Sequence, residues 1–129
     1  MTATVVVMDT NALMMPVELN VRVFDELDRL LAADADLVVP TAVLDELEKL
    51  STGGGTEGVA ASVGADLANR CRAVETDESY ADDAVVELAE SGEVDYVVTN
   101  DKPLRDRVLD CGIPVVGIRG HATLAITEP

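Results

Sequence analysis

Four acidic residues stand where this chain is expected to turn over one edge of a sheet: Asp9, Glu46, Asp83 and Asp101. Asp9 directly follows the apolar run 5–8, and Asp101 comes shortly after the apolar pair 97–98. A carboxylate just past a buried strand lies where open α/β sheets bind their ligands. Several carboxylates that converge there repel one another unless cations lie between them. The pattern therefore indicates hard metal ions and, with them, phosphate chemistry.

Helical spacing distinguishes Glu46 from the other charged residues nearby. At about 100° per residue, Val43, Leu47 and Leu50 share one buried face of a predicted helix over 41–50. Glu46 flanks that face, whereas the remaining charged side chains point further toward solvent: Asp45, Glu48 and Lys49. Glu46 is thus the acid of this helix best placed to face the sheet edge, although a solvated helix acid would fit the same pattern.

The third acid is less certain from the residues alone, because Asp82 and Asp83 both open a predicted helix over 81–91. Acids in a first turn often serve only the helix dipole and the free N–H groups. The apolar stripe of this helix puts Asp82 nearer the core side than Asp83: Ala81, Ala84, Val85 and Leu88. Periodicity therefore favours Asp82.

Polar residues flank the two acids that follow strands: Thr10, Asn11, Thr99 and Asn100. Such groups orient carboxylates or metal-bound waters, and they also serve as turn residues that cap the next helix. Both roles remain open for Asn11 and Thr99. The turn role is favoured for Thr10 and Asn100.

Strand and helix patterns alternate along the whole chain. The apolar spacing predicts strands over residues 4–8, 37–39, 71–74, 95–99 and 114–118. It predicts helices over residues 17–33, 41–50, 59–70, 81–91 and 103–110, with a glycine-rich loop at 51–58 and an irregular tail from Gly120. Alternating βα units predict one domain over 1–129, with its core at about 4–118, and a parallel sheet with helices on both faces.

The composition is strongly acidic, with 25 Asp and Glu against 9 Lys and Arg and a net charge of −16. The acids are spread along the chain, and this is typical of proteins from a high-salt cytoplasm, where screening shortens to about 3 Å near 1 M salt. The alternative is a basic partner.

No apolar run is long enough to cross a membrane, and no secretory signal is visible. Cys71 and Cys111 fit no metal spacing and are expected to be free thiols. A cytoplasmic location follows by default.

Four sequence segments make a family resemblance specific. They are Val-Val-Met-Asp9-Thr-Asn, Val-Pro-Thr-Ala-Val-Leu-Asp-Glu46-Leu-Glu-Lys-Leu, Tyr-Ala-Asp-Asp83-Ala and Val-Val-Thr-Asn-Asp101. In this order they resemble the PIN domain, the metal-dependent nuclease fold of toxin ribonucleases and ribosomal-RNA processing factors. The resemblance runs from Val5 to about Ile118. Together with the closing Val-Val-Gly-Ile-Arg-Gly-His, the segments look similar to archaeal relatives of the eukaryotic small-subunit processing factors.

The resemblance implies a three-layer α/β/α fold with a mainly parallel sheet of about five strands. It implies Mg²⁺ or Mn²⁺ held by Asp9, Glu46, Asp83 and Asp101, which would be both ligands and catalytic residues, and it selects Asp83 over Asp82, which stays a second candidate. The implied reaction is hydrolysis of an RNA phosphodiester bond. Phosphate contacts normally come from Lys and Arg, and the candidates are few: Lys102 and Arg105 near the site, with Arg70 and Arg72 as a second pair.

Several functional readings compete. A toxin would bind an antitoxin, a processing factor would join a ribosome-assembly complex, and a second copy of the chain is a further candidate partner. A non-catalytic PIN module that binds RNA or protein in a larger complex is the main alternative. A receiver-type signalling domain would require an acid adjacent to Asp9, and an aspartyl phosphatase would require a second Asp at the position of Asn11. Both of these fit the residues less well.

Overall fold

A computed structural model of the chain describes residues 3–31 and 35–129. Its strands are β1 (Val5–Met8), β2 (Asp36–Pro40), β3 (Arg72–Val74), β4 (Tyr96–Val98), β5 (Val115–Ile118) and β6 (Leu124–Thr127). Its helices are α1 (Thr10–Glu18), α2 (Val23–Leu30), α3 (Thr41–Ser51), α4 (Gly55–Leu67), α5 (Ala81–Glu90) and α6 (Lys102–Asp110), with a short 3-10 helix at Ala68–Arg70. Within the described residues no helix is long and apolar enough to cross a membrane.

The strands form one sheet in the order β3-β2-β1-β4-β5-β6. All neighbouring pairs are parallel except the last, because β6 runs antiparallel to β5. The central strands carry fully buried side chains on both faces, as in Val6 and Val7 of β1 and Val97 and Val98 of β4. Parallel crossovers are right-handed as a rule, so the reversal of strand order at β1 puts the intervening helices on opposite faces. The expected mainly parallel α/β/α architecture is confirmed, with six strands instead of about five.

Successive strands are added on one side of β1 and then on the other. From β1 the chain moves outward through β2 to β3, then returns to place β4 on the other side of β1. Such a switch point leaves a crevice outside the carboxyl ends of the two strands, and ligands of open α/β sheets bind there. Asp9 follows β1 and Asp101 closely follows β4, so this crevice lies between two of the predicted acids.

The single helix predicted over 17–33 is wrong in its start and its continuity. The structure has α1 and α2 instead, separated at Asn20, whose φ of 55° is left-handed. Helix α1 begins seven residues earlier than predicted and contains Pro16 in its interior. The predicted end at residue 33 lies outside the described residues.

The glycine-rich segment is shorter as a loop than predicted, because α4 already begins at Gly55. Further along α4, Gly64 permits close packing against two other helices. A Cβ atom at this position would lie 2.9 Å from the Leu13 carbonyl oxygen of α1 and 3.2 Å from the Leu47 side chain of α3. Close packing of these helices positions α3, which carries Glu46.

The tail predicted to be irregular contains the edge strand β6. Its first residue, Leu124, is fully buried and is bound through its backbone by α2. The Leu124 N–H donates to Glu26 Oε1 at 2.9 Å, and Arg29 Nη2 donates to the Leu124 carbonyl oxygen at 2.8 Å. The two α2 residues also pair with each other at 2.8 Å. The C-terminal segment is therefore part of the folded domain.

Candidate active site

Asp9 lies at the junction of β1 and α1 and is only 4% exposed. It caps α1, because its Oδ1 accepts a hydrogen bond from the Ala12 N–H at 2.6 Å. The cap occupies one carboxylate oxygen and leaves the other for further contacts. The strand end and the helix start together position this side chain at the carboxyl edge of the sheet.

Asp101 has the same relation to α6, although it is less buried. Its Oδ2 caps the helix by accepting from the Leu104 N–H at 3.2 Å. Its own N–H donates to Thr99 Oγ1 at 3.0 Å. Both acids thus cap a helix start at the carboxyl edge of the sheet.

Thr99 connects these two acids. The parallel register pairs Val7 with Val97 and Met8 with Val98, so Thr99 stands opposite Asp9 across the β1–β4 pair. Thr99 is fully buried, and its side chain hydrogen-bonds the Asp9 carboxyl group. The same hydroxyl accepts from the Asp101 N–H. Of the two roles left open for Thr99, the structure shows direct contact with both acids.

Burial raises the pKa of Asp9 to about 7, from an ordinary value of 3.8. The hydrogen bonds from Thr99 and from the Ala12 N–H lower it, and the negative charges of Asp82 and Asp101 raise it further. Without a bound cation, the Asp9 carboxyl group therefore stays protonated to a higher pH than an ordinary aspartate. A group whose pKa is displaced this far by burial and specific charged neighbours is a marker of functional sites.

Asp82 joins the same cluster from α5. Burial raises the pKa of its carboxyl group, and the charges of Asp101 and Glu46 raise it further. Glu46 is partly buried on α3, whereas its charged neighbours Asp45 and Glu48 are exposed, as the helical spacing predicted. Asp82 is therefore the group that links α3 and α5 to the two acids at the strand ends.

Asp83, which the family resemblance selects, has a different partner in the structure. Its Oδ1 lies 3.0 Å from Arg107 Nη2 of α6, and both side chains are substantially exposed. Arg107 also lowers the pKa of Asp82. The charges of Asp82 and Asp101 thus act on Asp9, and those of Asp101 and Glu46 act on Asp82. Asp83 also acts on Asp82, and it is paired with Arg107.

Hydrogen bonds of Asn11 and Asn100 connect the site to β5. Asn11 Oδ1 accepts from the Asn100 N–H at 2.9 Å, and Asn100 Oδ1 accepts from the Ile118 N–H at 3.4 Å. This chain of hydrogen bonds crosses from α1 to the end of β5. Both side chains therefore hold the backbone between Thr99 and Asp101 in place. Thr10 is buried, and its hydroxyl has no hydrogen-bond partner among the described residues.

The basic residues named from the sequence fall in two places. Lys102 and Arg105 lie on the first turns of α6, directly after Asp101. Arg70 and Arg72 lie before and at the start of β3, toward the amino end of the strands. Arg72 is paired with Asp36 at 2.8 Å, and Arg70 stacks over the Phe24 ring at 4.1 Å. The second pair therefore lies away from the acidic edge and has partners of its own.

Two arginines near the site were not selected by sequence reasoning. Arg107 follows Asp101 in the same run as Lys102 and Arg105, and those two were preferred as RNA contacts. Arg119 follows β5 and begins the turn that leads to β6. It lies in the closing segment Val-Val-Gly-Ile-Arg-Gly-His, but its position beside the site depends on the pairing of β5 with both β4 and β6.

The donor set fits a hard divalent cation. All four clustered side chains offer carboxylate oxygens, the ligands that Mg²⁺ and Mn²⁺ prefer. Among residues 3–31 and 35–129, no three acidic, His or Cys side chains are close enough to enclose an ion by themselves. Mg²⁺ keeps several of its waters and needs only one or two carboxylates. Burial raises the pKa values of Asp9 and Asp82, and the charges of neighbouring acids raise them further; a bound cation would offset both effects.

Comparisons with known proteins agree with this geometry. A family profile described as "PIN like domain" matches residues 6–121. The chain is 28% identical over 117 residues to "Ribonuclease VapC4" of Methanocaldococcus jannaschii, covering 88% of this chain and 89% of that protein. It also superimposes on the solved structure of the PIN domain endonuclease Utp24 with a TM-score of 0.78 and 26% identity, covering 97% of this chain and 92% of the other.

A domain of a functionally unknown protein from the same archaeon superimposes with a TM-score of 0.68 and 18% identity, covering 92% of this chain and 93% of that one. At that identity the similarity shows the fold alone. The profile match, by contrast, spans nearly the whole domain, including both strand-end acids, α3 and α5. The chain belongs to the PIN-domain ribonuclease family.

Proposed function

We propose that the protein is a metal-dependent endoribonuclease. The observation that carries the proposal is the electrostatic contact among Asp9, Asp82, Asp101 and Glu46 at the switch point of the sheet. The four acids come from separate elements, and Arg107 is the one cation that acts on Asp82 among the described residues. The ribonuclease and endonuclease activities named for two similar proteins support the choice of reaction.

In the proposed site, Asp9 and Asp101 hold the principal cation, and Glu46 and Asp82 complete its surroundings or hold a second one. Mg²⁺ or Mn²⁺ bound there supplies positive charge against the phosphate and lowers the pKa of an attacking water. Thr99 and the two helix caps keep Asp9 and Asp101 in fixed orientations. The single histidine, His121, is exposed beyond β5 and has no part in the reaction.

The direct test is cleavage of single-stranded RNA at high salt, with Mn²⁺ or Mg²⁺. Asp9→Asn keeps an oxygen for the α1 cap and removes the charge, so we expect at least a hundredfold loss of the cleavage rate, on the order of the loss of a major electrostatic contact. Glu46→Gln should also lose activity, whereas Asp45→Asn on the same helix is the matched control and should cleave normally. Equal cleavage by wild type and Asp9→Asn would remove Asp9 from the mechanism.

The main alternative is a PIN module that binds RNA or protein without cutting it. This alternative predicts RNA binding without cleavage at any Mn²⁺ concentration. A toxin role and an rRNA-processing role both use the same chemistry, and they differ in partner: a small antitoxin in one case and a ribosome-assembly complex in the other. Co-purification of the native protein with a small antitoxin would favour the toxin role, and co-sedimentation with pre-ribosomal particles would favour processing.

A further inference from the structure

A small cavity opens beside the acidic edge, on the side of β5. Its volume is about 160 Å³, and its walls include Thr99, Asn100, Gly117 and two arginines, Arg105 and Arg119. We name it the Arg105–Arg119 cavity. Thr99 and Asn100 belong to the segment that leads into Asp101, so the cavity shares a wall with the proposed active site.

The strand register gives the position of this cavity relative to Asp9. Thr99 stands opposite Asp9, and the pairing of Val97 with Val115 and of Val98 with Val116 puts Gly117 opposite Thr99. Asp9, Thr99 and Gly117 therefore form one row across three adjacent strands at the carboxyl edge. With neighbouring strands about 4.8 Å apart, the row places the Gly117 backbone about 10 Å from that of Asp9.

The absence of a side chain at 117 allows β4 and β5 to approach closely in the wall of the cavity. A Cβ atom there would lie 2.9 Å from the Thr99 carbonyl oxygen and 3.9 Å from Asn100 Oδ1. The first distance is too short for any real Cβ contact, so β4 and β5 can approach this closely only with glycine at 117.

The charge of the cavity differs from that of the rest of the molecule. Arg119 makes no ion pair within the part of the chain that the structure describes, and the nearest carboxylate to Arg105 is that of its neighbour Asp106, at 3.8 Å. A pair at this distance between exposed side chains is weak. In a chain with net charge −16, two arginines available beside a cavity form a local positive site.

We infer that the Arg105–Arg119 cavity binds a backbone phosphate of the RNA next to the one that is cut. Guanidinium groups bind phosphate oxygens through paired N–H donors. The cavity is well below the roughly 300–1,000 Å³ of typical small-molecule sites, so it suits a phosphate group better than a whole nucleotide. The inference rests on the proposed function, and it assigns Arg105 and Arg119 as substrate-positioning residues.

The test combines protein variants with a modified substrate. Arg105→Gln and Arg119→Gln should each raise KM for a short single-stranded RNA by about tenfold, the effect of a lost hydrogen bond to a charged group, with kcat nearly unchanged. Arg22→Gln, an arginine beside Phe24 away from the site, is the matched control and should leave KM unaltered. Arg119→Lys should restore part of the affinity, and melting temperatures confirm that each variant is folded.

The substrate is then altered by one neutral methylphosphonate, placed on either side of the cleaved bond. At one of these two positions the methylphosphonate should raise the KM of the wild type about tenfold. The KM of the Arg105→Gln/Arg119→Gln variant, already raised by the substitutions, should rise little further. The inference would be overturned if the effects of the substitutions and of the methylphosphonate on KM were fully additive. It would also be overturned if both single variants had the KM of the wild type. Either result would leave the proposed nuclease activity intact. A wild type that cuts no RNA would instead refute the proposed function, and the inference with it.

Discussion

The guanidinium of Arg107 lies 3.0 Å from the carboxylate of Asp83, and this contact separates two adjacent acids of α5. Asp82, one residue earlier, is in electrostatic contact with Asp101 and Glu46 instead. Adjacent residues on a helix point about 100° apart, so the two carboxylates have different main partners, although Arg107 and Asp83 both act on Asp82 as well. Asp83 is paired with α6, whereas the acids that most raise the pKa of Asp82 are Asp101 and Glu46.

The two acids should therefore respond differently to neutralisation. Asp82→Asn removes a charge from the cluster, and we expect a loss of RNA cleavage of at least tenfold. Asp83→Asn breaks an exposed ion pair, a contact usually worth less than about 1 kcal/mol, and should change activity only a few-fold. Rates at saturating Mn²⁺ compare the two isosteric variants directly. If Asp83→Asn lost most of its RNA cleavage while Asp82→Asn stayed active, the third acid of the site would be Asp83, as the family resemblance selects.

Gly117 offers a test of how closely β4 and β5 must approach. In Gly117→Ala the new methyl group would press on the Thr99 carbonyl oxygen, and we expect a loss of about 1–3 kcal/mol in the free energy of unfolding. Cleavage should fall as well, since Thr99 contacts both Asp9 and Asp101. Gly54→Ala is the control, because a Cβ there meets nothing within 4 Å, and its cost as an N-cap change should stay below about 1 kcal/mol. Urea unfolding of both variants measures the difference.

The attachment of β6 to α2 can be tested without reference to activity. Glu26→Ala removes the acceptor of the Leu124 N–H, and amide exchange at the start of β6 should become on the order of tenfold faster, as expected for one lost hydrogen bond. Asp25→Ala, at an exposed neighbouring position of the same helix, should leave that exchange unchanged. Unaltered protection of Leu124 in Glu26→Ala would mean that strand pairing with β5 alone holds β6.

The parts of the fold that the sequence predicted well depend on local signals. Continuous apolar runs marked β1 and β4, and their ends placed Asp9 and Asp101 at one sheet edge. Helical spacing correctly separated partly buried Glu46 from exposed Asp45. These features need only residues close together in the chain, because burial repeats with the period of the element.

The parts that were missed depend on distant residues. β6 is held by Glu26 and Arg29, 98 and 95 positions before Leu124, and no local pattern reveals such a contact. Apolar spacing predicted a helix from residue 17, yet the Asp9 cap begins α1 at Thr10 and the helix contains Pro16. No local pattern indicated the contact of Asp83 with Arg107 either, 24 residues later and on another helix, and the choice between Asp82 and Asp83 stays a prediction.

The raised pKa of Asp9 predicts how stability depends on pH when no metal is bound. In the unfolded chain its pKa is near 3.8, and in the folded protein it is about 7, so between these values the folded state binds more protons. Stability should therefore fall as pH rises from about 4 to about 7 and level off above that. The difference of 7 minus 3.8, at about 1.4 kcal/mol per unit, sets an upper limit of about 4 kcal/mol.

Urea unfolding of the metal-free protein at pH 5 and pH 8 measures this effect. Asp9→Asn cannot ionise at this position, so it should lose much less stability between the two pH values and be more stable than wild type at pH 8. Adding Mn²⁺ at pH 8 should stabilise the wild type and not the variant, because binding to the folded state alone favours folding. If wild type and Asp9→Asn lost stability equally with pH, the buried carboxyl group would not be the source of the dependence, and repulsion among the exposed acids would account for it.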